Sequence, residues 1–208
     1  MSNYQEITEK VIRGRAKEVA ALVEQALAAG DDPLEILTEG LMPGMNKVGE
    51  DFKNNVVFVP EVLIAARAMN SGMKILKPAL TKAGAEPVGR AVICTVKGDM
   101  HDIGKNLVAL MLKNYGFNVI DLGKDVPAET IIDKAVEVDA DIIGLSALMT
   151  TTMMRMDDVV KLAKDKGCRA QIIIGGACIN ESFKDEISAD GYSADAAEAV
   201  KLVQRLLR

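Results

Sequence analysis

The chain has 208 residues, 49% of them hydrophobic, with 30 acidic against 25 basic side chains and a formal charge of −5. That length supports one large or two small cores, and the acidic balance without a Lys/Arg cluster argues against nucleic acid as a main partner. No apolar run is long enough to cross a bilayer, the first residues lack a signal-peptide pattern, and three cysteines without CxxC spacing indicate neither a disulfide framework nor a structural zinc site. A cytoplasmic location, with no membrane and no nucleic-acid partner, is expected.

Taken in chain order, Ile7 and Val11, then Val19, Leu22, Val23 and Leu27, recur at helical spacing, with Gly14 as a break and Gly30 as a stop. Two antiparallel helices are predicted. Asp31 or Asp32 before Pro33 starts a third, running through Leu34, Leu37, Leu41, Met45 and Val48 towards Phe52, with a bend at Pro43-Gly44. Lys53-Asn54-Asn55 reads as a turn. Pro60 opens a fourth helix that turns Val62, Leu63, Ala66, Met69, Met73 and Leu76 inward. Residues 1–88 are thus expected to form a four-helix bundle, with a linker from Lys77 to Gly89.

Beyond the linker, short apolar runs alternate with helical ones. Strands are predicted at Ala91–Val96, Asn118–Asp121, Asp141–Ser146, Gln171–Ile174 and Gly191–Ser193. Helices are predicted at Ile103–Tyr115, Pro127–Val138, Met153–Lys166, Glu181–Ile187 and Ala194–Leu207. Such alternation implies an α/β domain over residues 89–208, a doubly wound, flavodoxin/Rossmann-like parallel sheet of five strands following the helical bundle. Ligands of these sheets bind at the carboxyl ends of the strands, which brings together His101, Ser146 and Gly175-Gly176.

His101 is the only histidine in the chain, and it follows the first strand. A neutral imidazole is a good transition-metal ligand, and Asp99, two positions earlier, can hold its second nitrogen. Asp102 stands where it can cap the helix that begins at Ile103, a reading preferred to a chemical role. Gly98 and Gly104 leave the backbone open to a bulky ligand or serve a turn. A phosphate-binding loop is excluded, since five residues separate these glycines and Asn106 holds the Ser/Thr position. Met149, Met153, Met154 and Met156, at helical spacing, are read as packing side chains rather than copper ligands.

Together these elements form Asp99-x-His101-x-x-Gly104, then 41 intervening residues, Ser146-Ala147-Leu148, 26 more, and Gly175-Gly176. The pattern resembles that of the cobalamin-binding module of methionine synthase and of the small corrinoid methyl-carrier proteins of methyltransferase systems. The likeness extends to Val96–Asn106, to Gly44–Phe52 and to Phe58-Val-Pro-Glu61, and so covers nearly the whole chain.

The resemblance implies a cofactor, cobalamin as methylcobalamin or cob(I)alamin or a related corrinoid, bound base-off with His101 as the lower cobalt ligand and Asp99 as its hydrogen-bond partner. Met100, Asp102 and Ile103, inside the motif, would join Gly98 and Gly104 in binding it. Ser146 and Leu148 would line the slot for the displaced nucleotide tail, Gly175, Gly176 and Ala194 would admit or touch that tail, and Thr150 and Thr152 would follow on the loop. Thr152 would extend the Asp–His hydrogen-bond chain, with threonine where methionine synthase has serine. Phe52 and Val59 would shield the upper face from the helical cap, unless they serve the bundle core; Val59 departs from the leucine of methionine synthase.

The implied function is methyl carriage on cobalt between a substrate-specific methyltransferase and a second one that methylates a thiol or a tetrahydrofolate-type acceptor, with a reductive activase as a further partner. The chain would be a carrier subunit rather than a complete enzyme, with no catalytic side chain of its own. A mutase subunit, a cobalamin-dependent sensor and a flavodoxin-like electron carrier are the alternatives. The helical cap argues against the first, the absence of a recognisable DNA-binding domain against the second, and the three-part pattern against the third.

Overall fold

A computed structural model describes residues 3–84 and 87–207, and it divides into two units, Met1–Glu86 and Pro87–Arg208. Among the described residues, no helix is long and apolar enough to cross a membrane.

The first unit is helical. Helices α1 (Asn3–Ile12) and α2 (Ala16–Ala29) are separated by Gly14 at φ +67°, and α2 ends on Gly30 at φ +89°. Both glycines take the left-handed conformation that L side chains resist. A side chain on Gly14 would also overlap Ile64. Asp32, not Asp31, makes the cap hydrogen bond to α3 (Pro33–Glu35), its carboxylate accepting from Leu34 N at 3.0 Å.

The third predicted helix is not one regular element. A π-helical turn, Ile36–Leu41, joins α3 to α4 (Met42–Lys53), with Met42 N donating to Leu37 O five residues back. Pro43 has no N–H for the carbonyl four residues earlier, and a widened turn beside it relieves that mismatch. The last helix of the unit, α5 (Val59–Lys82), starts one residue before Pro60 and continues through Pro78, so the first residues of the expected linker are helical. Ala85 and Glu86, also assigned to that linker, lie outside the described residues.

Ile7, Val11, Val19, Val23, Ile36, Leu41, Met45, Val48, Val62, Ala66, Met69 and Leu76 form the buried side of the unit. Leu63, expected inside, is exposed, and so is Leu34 at the start of the third predicted helix. The buried face of α5 mixes Val62, Met69, Leu76 and Leu80 with small residues, Ala65, Ala66, Ala68 and Gly72, and a Cβ on Gly72 would meet Leu41 and Val19 at about 3 Å. Close helix approach along that face leaves Leu63 on the flank.

The second unit carries β1 (Arg90–Thr95), α6 (Ile103–Asn114), β2 (Asn118–Asp121), α7 (Ala128–Glu137), β3 (Ile142–Ser146), α8 (Thr150–Met153), α9 (Arg155–Asp165), β4 (Gln171–Gly175), α10 (Glu181–Ile187), β5 (Gly191–Ser193) and α11 (Ala196–Leu206). All strand pairs are parallel, in the order β2-β1-β3-β4-β5. Buried on both faces, the central strands are continuous apolar runs such as Ala91–Cys94 and Ile172–Ile174. The strand order reverses between β1 and β3, so the loops leaving their carboxyl ends diverge there and open the crevice where such sheets take ligands. One register row, Thr95–Ser146–Gly175–Ser193, crosses four strands at that edge.

Replacing Gly14 with alanine is expected to destabilise the protein by about 1–3 kcal/mol, from left-handed strain plus the Ile64 clash. Urea unfolding followed by circular dichroism measures this, and an unchanged midpoint would contradict it.

Candidate functional site

The β1–α6 loop and the β3–α8 loop meet on one carboxylate. Asp99 has no solvent exposure. Its Oδ1 accepts from the His101 backbone N–H at 3.0 Å and from the imidazole Nδ1 at 2.8 Å. Its Oδ2 accepts from Leu148 N at 2.8 Å, Met149 N at 3.3 Å and the Thr152 hydroxyl at 2.7 Å. Burial alone would disfavour the charged form, but the Thr152 hydroxyl, the His101 and Leu148 amides and the imidazole hold the carboxyl well below the usual carboxylate range.

An ionised carboxylate only accepts, so in the neutral imidazole Nδ1 carries the proton and Nε2 keeps its lone pair. The His101 side chain is 49% exposed, which leaves that lone pair available to a metal. Two cysteines, one in β1 and one after β4, are disfavoured as thiolates. Burial pushes the Cys94 thiol up to about 12, and burial followed by the charge of Asp99 raises that of Cys178.

Exposed apolar side chains flank the imidazole along the chain, Met100 and Ile103 (77% exposed), and line the loop bonded to Asp99, Leu148 and Met149, with Met154 exposed at the end of α8. Met149 and Met154 thus do not pack inside, whereas Met156 is fully buried and Met153 lies against the core. The α8–α9 break at Met154 interrupts the helical periodicity from which packing was inferred.

The remaining predicted positions divide by cause. Gly98 sits at φ +84°, a backbone requirement of the turn. Gly104 has neither positive φ nor any atom within 4 Å of a would-be Cβ, so nothing in the protein itself demands glycine there. Gly176, at φ +136°, could not carry a Cβ without overlapping the Ala147 carbonyl; it holds the ends of β3 and β4 close. Gly175 and half-buried Ser146 stand side by side in the register row, and the Ser146 hydroxyl has no protein partner among the described residues.

Asp102 does not cap α6: its side chain makes no cap hydrogen bond, and only its carbonyl serves the helix, accepting from Asn106 N. Its backbone, at φ −122° and ψ −1°, departs from the extended cap geometry that Asn180 and Asp195 adopt. Thr150 is exposed on the first residue of α8. Ala194 is exposed beside Asp195, whose carboxylate caps α11. Phe52 and Val59, both half-buried, belong to the helical unit, at the end of α4 and the start of α5.

Two features escaped sequence reasoning. Ser193 completes the register row, buried and without a protein partner for its hydroxyl among the described residues; its short strand gave little pattern to read. Lys105, in the first turn of α6, is almost wholly buried, its Nζ 2.6 Å from both Asp121 oxygens and from Asn106 Oδ1. Against the cost of burial, Lys105 and the Gly123 amide lower the Asp121 carboxyl. A lysine in an otherwise apolar helix face, Leu107, Met111 and Leu112, was the available signal.

Comparison with known proteins identifies the family. The B12 binding domain family matches residues 89–201, and a second B12 binding domain family matches residues 4–77. The chain is 44% identical to trimethylamine corrinoid protein 1 of Methanosarcina acetivorans, over 100% of both chains. This chain belongs to the cobalamin-binding corrinoid proteins. Its cofactor is therefore a corrinoid. Among solved structures, a cobalamin-binding protein from Desulfitobacterium hafniense superimposes with a TM-score of 0.83 at 34% identity, covering 98% of each chain. The methanol:cobalamin methyltransferase complex MtaBC of Methanosarcina barkeri matches with a TM-score of 0.83 at 32% identity, over 97% of this chain and 78% of that one.

The site residues fit such a group. A single imidazole with its outer nitrogen free, the exposed apolar side chains of Met100, Ile103, Leu148 and Met149 and open backbone at Gly104 lie on the connections that leave β1 and β3 at the switch point.

Asp121→Asn is expected to lower stability at neutral pH by leaving buried Lys105 without its carboxylate. Because the Asp121 carboxyl is depressed in the folded state, its contribution is complete above the ordinary aspartate value of about 3.9 and is lost as pH falls through the lower folded value. The gap between parent and variant in denaturant midpoints should accordingly narrow below about pH 4. A gap that widened in acid would contradict the assignment.

Proposed function

We propose that this chain is a methyl-carrying corrinoid protein in which His101 is the lower cobalt ligand. The observation that carries the reading is the Asp99-held imidazole, Nδ1 fixed and Nε2 free, at the switch-point edge of the sheet. When bound, the corrinoid supplies the cobalt chemistry of methyl transfer. The protein's own residues bind and orient. Asp99 holds the Nδ1 proton, Thr152 and the Leu148 and Met149 amides hold Asp99, and the ring is thereby aimed before any cofactor arrives.

The base-off state, in which the cofactor's own nucleotide base yields to His101, is supported by the hydroxyls of Ser146 and Ser193, without a protein partner among the described residues, and by Gly175 and Gly176, a line of small residues along which a displaced tail can lie. Met100, Ile103, Leu148, Met149 and Met154 supply apolar contact, and open Gly104 permits close approach. Gly98 serves the turn rather than the ligand. Shielding of the bound group by Phe52 and Val59 rests on the family resemblance.

The partners of this reading are a substrate-specific methyltransferase, an acceptor methyltransferase acting on a thiol or a tetrahydrofolate-type compound, and a reductive activase, in the cytoplasm. Support comes from full-length similarity to a trimethylamine corrinoid protein and from the similar structure of a methanol:cobalamin methyltransferase complex. Because those relatives are named for different methyl donors, donor choice is assigned to the partner enzyme.

The test is electron paramagnetic resonance of protein loaded with hydroxocobalamin and reduced to the cobalt(II) form. Parent protein should show nitrogen superhyperfine splitting that ¹⁵N-histidine labelling alters, and His101→Ala should lose it. Asp99→Asn should weaken cofactor affinity by about 10- to 100-fold. Splitting insensitive to the label would overturn His101 ligation.

A further inference from the structure

We propose that Asp125, on the β2–α7 connection, is a positioning residue that sets the Asp99–His101 pair; the proposal rests on the reading that His101 ligates. Asp125 grips the chain on both sides of the Asp99 Cα. Its Oδ1 accepts from Gly98 N–H at 2.8 Å, and its own N–H donates to the Asp99 carbonyl at 3.1 Å.

To do so it adopts φ +57°, the left-handed region, which costs a non-glycine residue of the order of 1 kcal/mol, less for Asp than for most. Gly98, the residue it grips, is also left-handed at φ +84°. The two left-handed backbones are joined by the Gly98–Asp125 hydrogen bond, and crowding does not explain the one at Gly98: a Cβ there would meet only the Thr152 Cγ2, at 3.5 Å.

The same connection holds the loop further back. Thr95 N donates to Gly123 O at 2.9 Å, Val126 N to Thr95 O at 3.1 Å, and Val96 and Val126 form an isolated parallel bridge. Residues 95–99 are thus built on residues 123–126. The Asp99 side chain then reaches the opposite way, to the β3–α8 loop. Its carboxylate stands between two walls, and the Asp125 bonds fix where the backbone end begins. A small shift of that end would lengthen the 2.8 Å bond to Nδ1, the bond that selects the ring tautomer. Lys97, 3.0 Å from Asp125 Oδ1 but largely exposed, adds little.

The single histidine makes the test direct. In cofactor-free protein labelled with ¹⁵N-histidine, one imidazole reports its tautomer by nuclear magnetic resonance, and the parent should be predominantly Nδ1–H. Asp125→Ala, which loses both the acceptor and ease in the left-handed region, should shift the population towards a tautomer mixture. It should also weaken hydroxocobalamin affinity by about 3- to 10-fold, less than loss of a direct partner. Asp125→Asn keeps an acceptor oxygen and tolerates the left-handed region, so it should restore the parent tautomer. Asp125→Gly keeps the backbone and lacks only the acceptor; it should fall between them, and it decides the matter if the alanine variant does not fold.

Parent tautomer and parent affinity in folded Asp125→Ala or Asp125→Gly would overturn the inference. Failure of the ligation reading shows differently: the label-sensitive splitting of the loaded parent would be missing while the tautomer shifts of the free variants persisted.

Discussion

A buried, ionised carboxylate is expensive unless hydrogen bonds replace the water it has lost, and Asp99 is replaced in full. Five donors from its own loop and from the β3–α8 loop surround it. Hydrogen bonds to a charged group contribute about 1.5–3 kcal/mol each, and withdrawing one leaves charge uncompensated. The two loops are therefore locked to one another through a single side chain. The consequence reaches His101, since the same carboxylate that ties the loops also dictates which imidazole nitrogen is free.

The site needs the sheet order as much as it needs the residues. Only where β1 lies beside β3 do the loops carrying Asp99-x-His101 and Leu148–Thr152 leave neighbouring strands. The register row Thr95–Ser146–Gly175–Ser193 then extends sideways from the imidazole as a line of small side chains. Gly176 keeps it narrow by bringing β4 against the Ala147 carbonyl. On the β2 side, the pair between buried Lys105 and solvent-accessible Asp121 ties the first turn of α6 to the end of β2, so the motif's helix is anchored by a second, separate charge. Two anchored charges, Asp99 and Lys105, thus hold the loop and the helix that carry the exposed apolar residues Met100 and Ile103.

Much of this was legible in the chain. The five strands and the helices between them follow from apolar runs bounded by glycine and polar turns, and the family pattern picks out Asp99, His101, Ser146, Gly175 and Gly176 because their spacing is set by strand and loop lengths. What escaped has identifiable physical causes. The π-helical turn before Pro43 arises from a missing N–H that periodicity does not register. Leu63 turned outward because α5 buries the face carrying Val62, Ala66, Met69 and Gly72, a packing decision made between helices. Asp102 had the composition of a cap but not the backbone angles, which the tight loop around Asp99 imposes.

By itself, the sequence determined the α/β alternation, the helical unit before it, the family pattern and the identity of the one imidazole, because each depends on local periodicity or on fixed spacing along the chain. Only the tertiary structure decided that Asp99 is fully enclosed, that Nδ1 is its partner and Nε2 the free nitrogen, that Met149 and Met154 face outward, and that Asp125 grips the loop. Those outcomes depend on groups far apart in the chain, up to 53 residues for Thr152 and Asp99. Hydrogen bonds across such separations are made by the fold, and no periodicity along the chain encodes them.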